Sequence, residues 1–157
     1  MCISLSLANT IVQRGLVEQI EVTPMMLQKI VYFTYRDYLQ EMDRPLFTDD
    51  KFETWDYGPV IRRIYDAFKK YEGKPITELY SEKGRIKVID FTDTPIFKRI
   101  FDNVWQQCKQ EDGIYLSKRT HEKGSAWYKS FQRDDKYLSD EDIMNDHISI
   151  LKDVQYA

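Results

Sequence analysis

The sequence predicts a mainly α protein: a compact bundle of about six helices around a central apolar helix, with one small β-hairpin. Apolar residues recur at helical spacing in several segments, and the run from Met25 to Tyr35 is apolar on nearly every face, as in a helix enclosed by others. One stretch, Ile76 to Phe91, reads instead as two strand-like runs about a glycine. No repeat, low-complexity tract or linker breaks the chain, so residues 1–157 are read as one domain. A chain of that length buries roughly 70% of the surface its unfolded form exposes.

The elements follow in order. Ile3, Leu7 and Ile11, with Ala8 and Val12, form the stripe of a first helix that closes near Gly15. Thr23 as N-cap and Pro24 at the first helical position open the central helix, which runs to about Met42. A loop with Pro45, Phe47, Phe52, Trp55 and Tyr57 leads to a third helix starting at Pro59. Its inner face is Val60, Ile61, Ile64, Tyr65 and Phe68, and it stops at Gly73. Leu79-Tyr80 and Ile86 to Ile89 flank Glu82-Lys83-Gly84-Arg85, the signature of a hairpin. Thr94-Pro95 repeats the Thr23-Pro24 start, and Ile96, Phe97, Ile100, Phe101, Val104, Trp105 and Cys108 give the clearest amphipathic pattern. A short helix spans about Tyr115 to His121, and another carries Trp127 and Phe131. The last starts at Ser139, with Asp140, Glu141 and Asp142 suiting its positive end and Ile143, His147, Ile148, Leu151 and Val154 on its apolar side.

Composition narrows the function. The net charge of −3 lacks the basic footprint of a dedicated nucleic-acid binder. Cys2 and Cys108 are sparse and far apart, as in a reducing compartment. No basic leader and no stretch of about 20 apolar residues is present, so a cytoplasmic protein without membrane contact is expected. The aromatic content, 11 Tyr and 8 Phe, suits cores and protein interfaces alike.

No catalytic or cofactor constellation assembles. Cys2, Cys108, His121 and His147 lack the short paired spacings of a zinc site, so no metal is expected. Cys108 with His121 has the chemistry of a nucleophile and base, yet Cys108 continues the apolar stripe and reads as core. His147 reads as a core histidine. The glycines are too scattered to cradle a phosphate, and Asp49-Asp50 and Asp134-Asp135 read as solvated loop positions. Arg62-Arg63, Lys69-Lys70 and Lys118-Arg119 read as solvated helix faces, with acidic Asp66 and Glu72 beside them. The chain is therefore expected to bind rather than to catalyse, with no cofactor.

Three stretches together resemble a known family: Leu27-Gln28-Lys29-Ile30-Val31-Tyr32-Phe33, then Trp55-Asp56-Tyr57-Gly58-Pro59-Val60, then Leu116-Ser117 leading to Thr120-His121 and Trp127. In this order and spacing they resemble the Panacea, or SocA-like, antitoxin domain, formerly described as phage-associated. Ala126 departs from the pattern, where members commonly carry Pro. The resemblance implies an antitoxin of a type II toxin–antitoxin system that neutralises a cognate protein toxin by direct binding, the toxin being encoded by a neighbouring gene. It does not identify the toxin. Some members add a DNA-binding domain for autoregulation, for which this length leaves no room. A proteolytic adaptor that delivers a client to a protease, or a nucleic-acid-binding regulator of prophage origin, are the alternative readings.

The candidate partner-binding residues are Trp55, Tyr57, Gly58, Pro59, Arg62, Arg63, His121 and Trp127. The aromatic motif lies at the mouth of a helix start, where Gly58 permits close backbone approach. Two roles stay open for it: an edge of the partner surface, or a loop docked on the core with His121 or Trp127 packed against it.

Overall fold

A computed structural model describes residues 2–152 of the chain. Seven α-helices and one two-stranded antiparallel hairpin occur among these residues: α1 (Ile3–Glu18), α2 (Pro24–Met42), β1 (Glu53–Trp55), β2 (Gly58–Val60), α3 (Arg62–Phe68), α4 (Pro95–Cys108), α5 (Gly113–Thr120), α6 (Ala126–Gln132) and α7 (Asp140–Met144). A 3-10 turn, Lys69–Tyr71, extends α3.

Helix α2 is the centre of the fold. Thr23 accepts a hydrogen bond from the Met26 amide at 3.3 Å, Pro24 occupies the first turn, and Asp43 closes the far end in the left-handed conformation. Every residue from Met26 to Arg36 is buried, and α1, α3, α4, α5 and α7 all pack on this helix. Tyr32, Phe33, Trp105 and Phe101, the last two from α4, are among the bulkiest side chains in the shared core. Burying an aromatic of this size contributes about 1.5–3 kcal/mol.

Buried polar residues, two on α2 and one just past α7, do a second job by supplying hydrogen bonds to irregular segments. Gln28 bonds both the amide and the carbonyl of Ile61, at 3.0 and 3.1 Å. Arg36 donates to the Ile148 carbonyl at 2.5 Å. Asp146, fully buried, accepts from the Tyr32 hydroxyl, from the Ala126 amide at 3.2 Å and from the Ile148 amide at 3.1 Å, and pairs with Arg36 at 3.7 Å. Burial dominates in pushing the Tyr32 hydroxyl well above the ordinary tyrosine range, with the Asp146 charge second. Satisfying buried backbone groups in this way avoids a desolvation penalty of about 1–3 kcal/mol for each one.

Several expectations are corrected. The hairpin lies at residues 53–60, across the end of the stretch read as loop and the expected start of the third helix, with Glu53 opposite Val60 and Trp55 opposite Gly58. At Ile76 to Phe91 the turn itself forms, because Lys83 and Gly84 adopt positive φ and Glu82 and Arg85 exchange backbone hydrogen bonds at 2.8 and 2.9 Å. Its arms do not continue as strands, since α1 intervenes. Asn9 bonds the Tyr80 amide and carbonyl at 2.7 and 2.9 Å and the Lys87 carbonyl at 3.2 Å, and Thr10 accepts from the Ile89 amide at 2.8 Å.

Helix α1 runs through Gly15 to Glu18. A Cβ at Gly15 would meet Val22 at 2.7 Å and the Ile20 carbonyl at 3.0 Å, so this glycine serves close packing rather than termination. Helix α3 starts at Arg62, because Pro59 is held in β2, and Tyr65 on its expected inner face is 41% exposed. Thr94 makes no cap bond to α4 and instead donates to the Asp90 carbonyl at 3.3 Å. Helix α7 ends at Met144, because the bonds of Asp146 pull the following backbone out of helical geometry. His147 and Leu151 are exposed, Ile148 is half-buried, and Val154 lies outside the described residues. Cys108 is core as expected, and burial pushes its thiol well above the usual range.

Candidate functional site

Trp55, Asp56, Tyr57 and Gly58 form the hairpin turn, and the carbonyls of the first three are each taken by a side chain of the α5–α6 corner. Trp127 donates from Nε1 to the Trp55 carbonyl at 2.7 Å. His121 Nε2 lies 2.7 Å from the Asp56 carbonyl, and Ser117 donates to the Tyr57 carbonyl at 2.6 Å. The His121 ring packs against Trp127 with centroids 3.9 Å apart, and its Nδ1 faces the Ser117 carbonyl.

On the other side of the turn, Lys29 of α2 donates to the Pro59 carbonyl at 3.2 Å. The Lys29 side chain has no solvent exposure, and desolvation lowers its ammonium to about 7. Gly58 has φ +107°, and a Cβ there would meet Thr120 Oγ1 at 2.6 Å and Lys29 Cε at 3.1 Å. The glycine thus admits both the backbone conformation and the approach of α2 and α5.

The candidate residues divide by what they show to solvent. Gly58, Pro59 and Trp127 are buried and His121 is half-buried, with polar atoms turned inward on the turn. Tyr57 is 63% exposed at the tip, and Trp55 is half-buried beside it. Arg62 and Arg63 are exposed on α3. Arg62 forks onto Glu53 at 3.1 and 3.2 Å while its guanidinium covers the Trp55 ring at 5.0 Å. Burial alone would raise the Glu53 carboxyl, but hydrogen bonds from Arg62 and Trp55 hold it below its usual range. Tyr65 packs edge-on against Trp55 at 4.9 Å. A cavity of about 170 Å³ opens between these aromatics and the start of α2, with Lys29, Val60 and Ile64 also in its walls.

Lys29, Ser117, Thr120 and Tyr65 were not singled out as site residues by the sequence reading. Lys29, Ser117 and Thr120 stand in the resembling stretches, and a lysine in the largely apolar run Leu27 to Phe33 is a further signal, because an unpaired lysine is almost never fully buried. Tyr65 was assigned to the core from its helical spacing, and its exposure follows from the later start of α3. Elsewhere, Cys2, Asp49 and Asp50 bring their ligand atoms within 4.8 Å of one another. Asp50 there already accepts from Ser4 and twice from Arg63 at 3.1 Å, which makes the group an ion-paired anchor for the start of α1.

Residues 27–128 match the family described as Antitoxin SocA-like, Panacea domain. The chain belongs to this family. The match starts at the α2 motif and ends just past Trp127, so it contains both halves of the clamp on the hairpin turn. Among curated proteins, Antitoxin SocA of Caulobacter vibrioides (strain NA1000 / CB15N) is 32% identical over 63 residues, which is 40% of this chain. The matched segment spans 33% of that relative's length. No solved structure matches the chain. Within this Panacea domain, the motif residues Lys29, Gly58, Ser117, His121 and Trp127 fasten the turn from both sides, while Tyr57, Trp55 and Tyr65 face outward. No helix among the described residues is long and apolar enough to cross a membrane.

Proposed function

We propose that this chain is an antitoxin that neutralises a cognate protein toxin by direct binding, without catalysis, as the antitoxin of a type II system. Membership of the SocA-like Panacea family carries the reading. A surface feature supports it: Trp55 and Tyr57 of the fastened turn and Tyr65 of α3 form an aromatic patch, and Arg62 caps its edge. Rigid aromatic groups are strong interface anchors, because they present large area at low cost in side-chain entropy. Gly58, Pro59, His121 and Trp127 contribute by holding the patch in position, and Arg63 flanks it.

The test is a growth assay with the neighbouring reading frame, expressed alone and then together with this chain. Growth arrest by the neighbour, relieved by this chain with the two proteins co-purifying in a stable complex, is the expected result. Relief accompanied by falling toxin levels indicates a proteolytic adaptor instead. A neighbour that is harmless removes the toxin reading.

A further inference from the structure

We propose that His121 is a proton-operated latch on the hairpin turn. As an imidazolium it donates from both ring nitrogens and ties the turn to the end of α5; as a neutral ring it holds only one of the two bonds. That the outward face of the turn meets a toxin rests on the reading above; the latch itself does not.

Both ring nitrogens sit on carbonyl oxygens. Nε2 lies 2.7 Å from the Asp56 carbonyl and Nδ1 lies 2.5 Å from the Ser117 carbonyl. A carbonyl has no proton to give, so each bond needs an N–H from the ring. A neutral imidazole carries one N–H, and its other nitrogen then sets a lone pair against a carbonyl oxygen. Either tautomer leaves one side unbonded, whereas the imidazolium satisfies both with charge-assisted bonds. Ser117 also donates its hydroxyl to the Tyr57 carbonyl at 2.6 Å. The ring therefore couples one turn carbonyl to the residue that holds the next.

Two more features favour a charged ring. His121 is the C-cap of α5, at the negative end of the helix dipole. The Trp127 ring lies against it, with centroids 3.9 Å apart, and an indole attracts a cation. The neighbouring charges pull the other way. In the turn, Asp56 and Tyr57 are exposed and meet the corner through their carbonyls. Behind the turn stands Lys29 of α2, and past Trp127 on α6 come Tyr128 and Lys129. On α5 itself, Lys118 and Arg119 add like charge, with Arg119 paired to Glu122 at 3.3 Å. The two carbonyls, the helix end and the indole are what hold the proton on the ring.

The reporter is the Trp127 indole N–H, which is donated to the Trp55 carbonyl across the same joint. Its protection factor is read by hydrogen exchange at about pH 5 and about pH 8, which bracket the ordinary imidazole range near 6.5. The native chain should lose at least about tenfold in protection across that interval, because one charge-assisted hydrogen bond goes. His121→Gln should show no such response. Lys29→Met should keep it, which separates the ring from the buried ammonium, whose protonation at about 7 would loosen the turn rather than fasten it. A second measurement needs no variant. At about pH 5 both ring N–H protons of His121 should exchange slowly, while those of exposed His147 exchange at once. One slowly exchanging ring proton in place of two, equal protection at both pH values, or a response that persists in His121→Gln overturns the proposal. The assay involves no toxin, so its failure leaves the growth-rescue result untouched, and a harmless neighbour leaves the latch untouched.

Discussion

Replacing Gly58 by alanine removes the space that lets α2 and α5 close on the hairpin turn. A residue with a side chain at φ +107° carries strain of about 1–3 kcal/mol. The new Cβ also falls 2.6 Å from Thr120 Oγ1 and 3.1 Å from Lys29 Cε, and relieving such contacts in a packed interior costs about 1–3 kcal/mol more. The sum, about 2–6 kcal/mol, is a large share of the roughly 5–15 kcal/mol that holds a domain folded. Urea titration followed by tryptophan fluorescence reads it directly, and thermal unfolding should fall by about 6–18 °C. Two glycines separate the causes. Gly84, at φ +76° with nothing within 4 Å, should lose only about 1 kcal/mol on change to alanine, while Gly73, with open space and no such φ, should stay within about 0.5 kcal/mol. Pairing Gly58→Ala with Thr120→Ala should cost about 1 kcal/mol less than the two separately, because the removed hydroxyl is the nearest atom. A Gly58→Ala chain within about 0.5 kcal/mol of native would refute the clamp.

Three further outcomes follow from buried groups. Lys29→Met should be more stable than the native chain at about pH 6, and the gap should shrink by about 2–3 kcal/mol by about pH 9. Between about 7 and the ordinary lysine value of about 10.5 the unfolded chain keeps a proton that the folded chain has released, so native stability rises with pH there. Asp146→Ala should cost about 3–5 kcal/mol in urea titration, because it strips Tyr32 and the Ala126 amide of their acceptor and leaves Arg36 with Asp37 alone as counter-charge. Of the two thiols, Cys2 should react promptly with a disulfide reagent in the native chain, and Cys108, fully buried with its thiolate disfavoured, only on unfolding.

Local chemistry was legible at the starts of α2 and α7, though not at Thr94, which bonds Asp90 instead of capping α4. Thr23-Pro24 marks the true start of α2, the apolar run after it marks the enclosed helix, and the Ser139 start of α7 is read correctly with its acidic first turn. What failed depends on distant partners. Nothing near Ile86 to Ile89 shows that Asn9 and Thr10, more than 70 residues away, take the hydrogen bonds a second strand would have taken. The true strands are short and one contains a proline, so they carry no strand signal of their own. Helix α7 ends early because of what Asp146 bonds on α2 and α6. At the site, the motif order named segments that meet at the hairpin turn, but only the fold separates the residues that fasten the turn from those that face out.

The most direct test of the account replaces the outward face and leaves the clamp intact. Tyr57 and Tyr65 are 63% and 41% exposed, and neither hydroxyl makes a hydrogen bond to another described residue. The Tyr57→Ala, Tyr65→Ala chain should therefore keep its unfolding midpoint within a few degrees of native. Growth rescue and co-purification with the toxin, measured for that chain, should both be lost. Full rescue by the folded double variant would place the toxin elsewhere on the molecule and contradict the account.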